Sequence, residues 1–423
     1  MPNTLITSSI ILNEMIMELK NNLTLAEKID RQYSNQFGNA QPLKRGDTVN
    51  VRRRVNFLAT NSFATDGDMT GNVSDIVEGS VPIRMTDQPT VVFEVSTQDL
   101  TLDISDFSER YIRPAAIELA QYVDSKIAEE GQKFPWLEGT PGSPITDFVG
   151  VARIDAVLDN YGVPSDGMRC FFITPNQMIN LASVLTTNFV TDLARRAIER
   201  ALVTQFGGLE IYKNQSLKTH TVGEWGAGPI TVNGAAQETT YAAVKDTDYL
   251  SQTLDLTGFG LTVTGVLNVG DSFTIDGVFQ VNHRTRESTG ELQRFGVIAA
   301  ADSDGAGDAT VTITPAIILD GAYKTVHIAG GTLADATAVT IVSGASTSVH
   351  RHNLAFHRDA ITLATADLEP YMGNVDNSTG AMDNISMRVA MDSDILRDKN
   401  TVRVDLLFGV HIMEVRAGLR STE

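Results

Sequence analysis

Apolar residues near the start of the chain recur at the spacing of an amphipathic helix. The apolar stripe consists of Ile10, Leu12, Met15, Ile16, Leu19 and Leu23. Such a stripe must be buried, and we interpret residues 1–40 as an N-terminal arm. The pattern leaves open whether the arm packs on its own domain or on a neighbouring subunit.

Residues 46–104 show the alternation of β-strands. Val49, Val51, Arg53 and Val55 fall on one side of a strand, and a second run follows at Thr90–Val95. The segment between them, 58–88, is polar and shows little periodicity. A loop of this length is usually functional or disordered, and a two-stranded projection is marginal by itself. We therefore expect an extended loop that another subunit covers.

The strongest helical pattern follows this β region. Asp106 and Glu109 have capping-box spacing, and Gly131 ends the pattern. Its apolar stripe consists of Tyr111, Ile112, Ala115, Leu119, Val123 and Ile127. Pro114 suits a first turn, so the segment is either a short turn followed by a helix from about Arg113 or one kinked helix.

The pattern in the middle of the chain predicts alternating helices and strands, followed by a series of short strands. The α/β part consists of helices at 148–158, after Thr174-Pro175 and at 188–205, with strands at 170–173 and 209–212. The short strands are predicted at 261–264, 271–275, 278–281, 295–298, 311–314 and 339–342. Turns at Asp276-Gly277 and Asp304-Gly305 separate some of them, which favours a small antiparallel barrel. A further helix is predicted at 354–363, after these strands.

The end of the chain has the clearest β pattern. Ile385, Met387, Val389 and Met391 alternate with polar neighbours. After an acidic turn the alternation resumes at Val402, Val404, Leu406, Phe408, Val410 and Ile412. A long twisted hairpin is the natural interpretation.

Composition limits the function classes. The chain has 423 residues, 42% hydrophobic and 20% charged, which indicates a folded protein of two or three domains. No long apolar run and no secretory signal are expected, and the single Cys170 excludes an internal disulfide. The net charge of −19 disfavours a nucleic-acid-binding protein. Residues 222–349 hold 14 acidic and 5 basic residues.

The order of these parts resembles the HK97-like fold of tailed-phage major capsid proteins. The acidic β segment resembles the extra domain of coat proteins from short-tailed phages of enteric bacteria, the P22-like group. The phrases that carry the resemblance are Val269–Val278, Ser288–Val297, Thr312–Ala316, Ala355–Leu363 and Val402–Arg416.

The resemblance implies an α+β fold with a defined order of parts. These are an arm (1–40), β with an extended loop (41–104, loop about 58–88), a spine helix in a peripheral domain (105–135), an axial α/β domain (136–221), an inserted β-barrel (222–349), an axial return (350–380) and a peripheral hairpin (381–423).

The resemblance also implies partners. It predicts a subunit that associates with itself in the pentamers and hexamers of a closed icosahedral shell, encloses double-stranded DNA without sequence-specific binding, and acts in the virion after assembly in the host cytoplasm. A long N-terminal segment of the kind that some relatives cleave is not expected. A separate scaffolding protein is therefore implied, together with a portal protein, no membrane and no cofactor.

Seven charged residues are candidates for subunit interfaces. Arg52, Arg53 and Arg54 form the one basic cluster of an acidic chain, and Asp66 and Asp68 are their candidate partners on an adjacent subunit. Charge complementarity of this kind fixes register more than affinity. A solvated strand edge explains the cluster equally well. Asp246 and Asp248 are weaker candidates for contacts between rings.

Other motifs favour ordinary structural roles. His350, His352 and His357 lack a third ligand at suitable spacing, so surface or interface histidines are favoured over a metal site. Asp302, Asp304 and Asp308 lack the rest of a calcium loop and predict a hairpin turn. No phosphate-binding loop or nucleophile motif is evident, and no enzyme is predicted. Two alternatives remain: the shell of a protein-cargo nanocompartment, and a multidomain hydrolase with a β-barrel module.

Overall fold

A computed structural model describes residues 7–31, 48–57, 59, 76–96, 107–188, 205–206, 208–226, 228–371, 375–394 and 399–423. The chain divides into two compact units. Unit 1 consists of 1–49, 83–130 and 361–412, and unit 2 consists of 50–82, 131–360 and 413–423. No helix among the described residues is long and apolar enough to cross a membrane.

The α-helices of the described residues are α1 (Ser8–Asn22), α2 (Leu25–Lys28), α3 (Arg113–Gly131), α4 (Phe148–Asn160), α5 (Pro175–Asn188) and α6 (Tyr241–Val244). A π-helical turn (Ser108–Ile112) precedes α3. Short 3-10 turns lie at Asp248–Leu250, Arg358–Ala360 and Val415–Ala417.

The strands of the first half are β1 (Thr48–Arg52), β2 (Ser80–Arg84), β3 (Thr90–Ser96), β4 (Leu137–Glu138), β5 (Arg169–Ile173), β6 (Gln205–Phe206), β7 (Leu209–Lys213), β8 (Thr219–Thr221), β9 (Ile230–Val232) and β10 (Gln252–Thr257). Those of the second half are β11 (Ser272–Val281), β12 (Ser288–Val297), β13 (Asp308–Thr314), β14 (Val326–Ile328), β15 (Ala338–Ile341), β16 (Val349–His357), β17 (Ile361–Ala366), β18 (Asp376–Met382), β19 (Ile385–Asp394), β20 (Lys399–Ile412) and β21 (Gly418–Thr422).

Unit 1 is built around the predicted terminal hairpin. Strands β19 and β20 pair antiparallel from Met387–Leu406 to Asp394–Lys399, which confirms the hairpin. Strand β18 extends the sheet beside β19, and β3 and β17 pair with successive parts of β20. Val389, Val402 and Val404 are fully buried, as their alternation predicts.

Helix α1 packs on this sheet within its own unit. Its buried residues are Ser8, Ile11, Leu12, Met15, Ile16 and Leu19. A Cβ added at Gly380 of β18 would lie 3.0 Å from the Leu12 side chain, which shows how closely helix and strand approach. The Ser8 hydroxyl donates to Asp376 at the start of β18 over 2.9 Å. Of the two placements left open by the sequence, the structure has the arm helix on its own domain.

The spine begins with a π-turn and continues as α3 from Arg113, with Pro114 in its first turn. The Arg113 N–H donates to the Ser108 carbonyl, so the π-turn and α3 are continuous, and Pro114, which lacks an N–H, lies directly after the irregular turn. Asp124 of α3 accepts hydrogen bonds from Thr24 and Ala26 and so anchors the start of α2. Burial raises the pKa of Asp124, against these hydrogen bonds.

Unit 2 contains a mixed sheet in the order β4-β21-β16-β5-β7-β6, with β8 paired to β16. Strands β5 and β7 are parallel, as are β4 and β21. Cys170 lies buried in β5, as expected. Helices α4 and α5 confirm the helices predicted at 148–158 and after Thr174-Pro175. Most of the helix predicted at 188–205 lies outside the described residues.

The predicted barrel is also confirmed. Its strands run in the order β12-β13-β10-β9-β15-β11, and an additional β11–β12 pairing closes the barrel. The short strand β14 pairs with β11 from outside this ring. Phe273, Ile275, Phe295, Val311 and Ile313 lie in its core and are fully buried.

Four local predictions are wrong. Residues 80–84, which the sequence assigns to the extended loop, form strand β2 and pair with β1. Residues 261–264 form turns rather than a strand. Asp276-Gly277 does not separate two strands, because β11 runs through it with an irregular register against β12, and Gly277 adopts a φ of 74° there. The helix predicted at 354–363 is instead the end of β16, a 3-10 turn and the start of β17. Both strands are buried on both faces, so they lack the alternation that identifies a strand.

Candidate assembly interface

The arginine cluster lies at the end of β1, with alternate side chains on opposite faces. Arg52 and Arg54 are exposed, whereas Val51 is buried and Arg53 and Val55 are partly buried. This alternation is the one that the sequence predicts. It divides the cluster into two outward cations and one inward cation.

The two outward arginines form ion pairs near the surface. Arg52 lies 3.1 Å from Glu78, and Arg54 lies 2.7 Å from Asp359. The arginine side chains are 80% and 79% exposed. Exposed pairs contribute at most about 1 kcal/mol, so both cations can exchange partners at little energetic cost.

Arg53 instead anchors the chain. Its guanidinium donates to the backbone carbonyl of Thr247 over 2.8 Å, and its backbone N–H donates to Gly79. Burial is the main influence on the pKa of Arg53 and lowers it, whereas nearby Glu414 opposes the shift. Arg53 is therefore a structural residue at the base of the extended loop.

Asp246 fixes the opposite side of this base. Its carboxylate accepts hydrogen bonds from the backbone N–H and the hydroxyl of Ser80, both over 3.0 Å. Lys245 donates to the other oxygen over 2.7 Å. Lys245 first, and then Ser80, hold the pKa of Asp246 below its usual value. The Asp246 side chain is still 55% exposed, which leaves room for another contact.

Close packing supports these hydrogen bonds. A Cβ at Gly79 would lie 2.4 Å from the Lys245 carbonyl oxygen, so only glycine permits this approach. Tyr241 and Tyr323 stack with ring centroids 3.5 Å apart, and Val77 packs against the same apolar cluster. The Tyr323 hydroxyl accepts from the backbone N–H of Asn56. Both margins of the loop therefore rest on the inserted domain of the same chain.

The remaining candidates occupy different positions. Asp248 begins a 3-10 turn beside this base, and its charge raises the pKa of Arg53. Asp66 and Asp68 lie outside the described residues. Phe57 and Ile76, on the two margins of the extended loop, have exposed fractions of 60% and 63%.

The histidines expected at a surface or interface are instead buried. His350, His352 and His357 have low exposure, because β16 is a central strand of the unit 2 sheet. No group of three metal-ligating side chains among the described residues has suitable geometry. The acidic loop forms the predicted turn, in which Asp304 accepts the backbone N–H groups of Ala306 and Asp308.

Sequence reasoning missed Ser80, Lys245 and Tyr323. Ser80 and Asp246 are 166 residues apart, and no local pattern links them. The only signal was the glycine at 79 beside a strand, which indicates a close backbone approach without naming the partner.

Comparison with known proteins identifies the family. The model of the family described as P22 coat protein - gene protein 5 matches residues 2–420. No curated protein matches the chain.

Solved structures that match include phage proteins. Mycobacterium phage Che8 has 12% identity and a TM-score of 0.45, with 94% of this chain and 90% of that chain covered. The capsid of Ralstonia phage GP4 has 9% identity and a TM-score of 0.44, covering 93% and 86%. The CUS-3 coat protein I-domain has 29% identity and a TM-score of 0.21, covering 28% and 98%.

The family match extends over nearly the whole chain, and the described residues contain the arm helix, spine, terminal hairpin and closed barrel that the resemblance implies. The expectation of a major capsid protein is thereby confirmed. The chain belongs to the P22 coat protein family.

Proposed function

We propose that this capsid protein forms a closed icosahedral shell around double-stranded DNA, with a separate scaffolding protein during assembly and a portal protein at one vertex. The family match over residues 2–420 carries the proposal. We further propose that the chain has no catalytic role, that assembly takes place in the host cytoplasm, and that residues 222–349 are the inserted domain. The closed barrel core supports that boundary.

The net charge of the chain suits a DNA container. At −19, the protein repels phosphate, and sequence-independent DNA binding depends on neutralising phosphates. A shell that held its genome tightly would hinder packaging and release. Enclosure without specific binding therefore agrees with the charge.

The base of the extended loop supports a proposal for the contacts. Arg52 and Arg54 are exposed cations in weak intrachain pairs, so they are available to acidic groups of a neighbouring subunit, with Asp66 and Asp68 as candidates. Arg53 and Asp246 hold the base in place. The exposed part of Asp246, together with Asp248, is proposed to contact a neighbour.

Each such contact is modest, and repetition provides the stability. Heterologous contacts close into rings when the rotation between neighbours permits. Several weak contacts per subunit then add up to an assembly much more stable than any one of them. Charged contacts near a surface suit this role because they set register and tolerate small changes of angle.

Reversal of the outward cations tests the interface. We expect Arg52→Glu with Arg54→Glu to fold normally, because each arginine loses only a weak exposed pair. With co-expressed scaffolding protein, the yield of closed shells on a sucrose gradient should fall about ten-fold or more, since two like-charged contacts replace attractive ones throughout the shell.

The matched control is Lys213→Glu with Arg351→Glu, which reverses two exposed cations on β7 and β16 and changes net charge equally. The control should assemble at normal yield. Normal shells from the Arg52 and Arg54 variant, or an equal loss in both variants, would refute the proposed interface. Circular dichroism melting of both variants checks that each is folded.

A further inference from the structure

The inserted barrel joins the α/β sheet through a narrow neck of two strands. Strand β8 enters the insert and β16 leaves it, and the two pair antiparallel with His220 directly opposite His350. The amide of Val222 donates to Ser348, and that of His352 donates to Lys218. The barrel also contacts the rest of unit 2 elsewhere, for example from Ser272 to Pro135 and from Gln293 to Tyr161, so these hydrogen bonds determine the strand pairing of the neck itself.

Three histidine rings contact one another in this neck, with His220 stacked on His352 and the ring of His350 edge-on to both. The ring centroid of His220 lies 5.8 Å from that of His350 and 5.0 Å from that of His352. Those of His350 and His352 are 4.9 Å apart. All three side chains are buried. Three titratable side chains thus occupy buried positions that apolar side chains usually fill.

Asp271 of the barrel binds one of these rings. Its Oδ1 lies 2.8 Å from Nε2 of His220, and its Oδ2 accepts the backbone N–H groups of Gly223 and Asn268. Asp271 is fully buried. The neck therefore contains one carboxylate, and His220 already uses it.

Arg420 of β21 connects the α/β sheet to the barrel on the side of the neck where β11 begins. Its guanidinium donates to the carbonyl of Gly270 and to the hydroxyl of Ser272, which connects β21 to the start of barrel strand β11. It also donates to Nδ1 of His352 over 3.4 Å. His352 must be neutral at Nδ1 to accept this bond, so its ring proton sits on Nε2.

The surroundings of His350 and His352 disfavour a second proton on either ring. Among the described residues, no hydrogen-bond acceptor reaches Nε2 of either ring. A proton added to His352 at Nδ1 would point at the Arg420 guanidinium. The charged groups that face the pair are His220 from β8, Asp271 from the barrel and Arg420 from β21, with Arg294 of β12 farther off and acting on Arg420.

We propose that the neck of the inserted barrel is an acid-sensitive hinge, in which protonation of His350 or His352 opens the β8–β16 pairing where the barrel is attached. The proposal concerns the folded subunit and does not depend on the shell contacts above.

The pKa shifts of the two histidines determine how the stability of the closed neck depends on pH. Burial, followed by the positive charge of His220 and Arg420, lowers the pKa of His350 to about 4. Burial and Arg420 also lower the pKa of His352 well below its usual value. The open neck, with pKa values near the ordinary 6.5, binds more protons than the closed one. The closed neck is therefore fully favoured above about pH 6.5, and it loses stability as the pH falls from there towards 4.

Hydrogen exchange on the full chain tests this inference. We expect the amides of Val222 and His352, corrected for intrinsic exchange rates, to open about ten-fold more often at pH 5.0 than at pH 7.5. Amides in β13, in the barrel core, should stay within two-fold. A neck that does not respond, or a core that opens as much as the neck, would overturn the hinge.

Variants isolate the two rings. His350→Gln with His352→Gln removes both titrating groups and should abolish the pH dependence of neck opening. His327→Gln, on the exposed face of β14, is the matched control and should retain it. A wild-type response in the double variant would contradict the proposal.

If the double variant does not fold, the ring resonances of histidine-labelled wild type decide instead. Rings of His350 and His352 that protonate at an ordinary pH near 6.5 with the neck closed would contradict the proposal. Rings that stay neutral until the neck opens would support it.

Discussion

At the scale of single residues, unit 1 depends on a buried charge that hydrophobicity patterns do not reveal. Asp405 of β20 is 1% exposed and accepts hydrogen bonds from Arg388, Arg403, Thr90 and Tyr371. The Arg388 guanidinium also lies over the Tyr371 ring, 4.0 Å from its centroid. Burial opposes ionisation of Asp405, but the bonds from Arg388, Thr90 and Arg403 hold its pKa below the usual value.

We predict that Asp405→Asn lowers the free energy of unfolding by about 3 kcal/mol at pH 7, because Arg388 is left buried without its counter-charge. Since folding lowers the pKa of Asp405, the folded state binds fewer protons; the contribution is fully present above about pH 4 and declines as the pH falls from there through the lowered pKa of the folded state. Urea denaturation at several pH values measures this.

Arg403→Gln is the matched control, because Arg403 is 42% exposed and loses a screened contact. Its cost should stay below about 1 kcal/mol. Equal losses in the two variants, or a loss from Asp405→Asn that does not shrink as the pH is lowered below about 4, would contradict this account of the buried network.

At the scale of elements, helix α1 has a sharply divided surface. Met15 and Ile11 are fully buried against the sheet of unit 1, whereas Met17 is 53% exposed. The helix therefore contributes to the core through one stripe, although its overall hydrophobicity is modest.

We predict that Met15→Ala destabilises the protein by about 2–5 kcal/mol, because a cavity replaces a fully buried side chain. Met17→Ala changes the same residue type on the exposed face of the same helix and should cost less than about 0.5 kcal/mol. Thermal unfolding of both variants checks this. A small effect at Met15 would mean that α1 does not belong to the core of its own unit.

Sequence patterns predicted the elements with one buried face and the short buried strand β5, and failed at 354–363, where two buried strands follow one another. The hairpin strands β19 and β20 and helix α1 follow their periodicity, because water on one side imposes alternation. The end of β16 and all of β17 are buried on both faces, so their sequence does not alternate between apolar and polar residues. This stretch was therefore predicted to be a helix. Asp276-Gly277 was predicted to be a turn because glycine readily adopts a positive φ. The φ of 74° at Gly277 instead belongs to an irregular point within one strand.

The candidate interface was predictable only in part. Alternation along β1 correctly separated Arg53 from Arg52 and Arg54. The partners of Arg53 and Asp246 come from segments far away along the chain, and neither charge nor periodicity encodes such pairings.

At the scale of the whole molecule, the chain combines features that suit repeated association. The family is one of coat proteins, and the base of the extended loop presents exposed cations on an acidic protein. The inserted barrel has its own closed core and carries much of the negative charge. A surface of this kind favours many weak, orienting contacts over one strong interface.

Electron microscopy of the purified full chain, with and without its co-expressed scaffolding protein, tests self-assembly most directly. We predict uniform closed shells of a single size when the scaffold is present, and fewer or irregular shells without it. A protein that stays monomeric at high concentration with scaffold present would contradict the central claim.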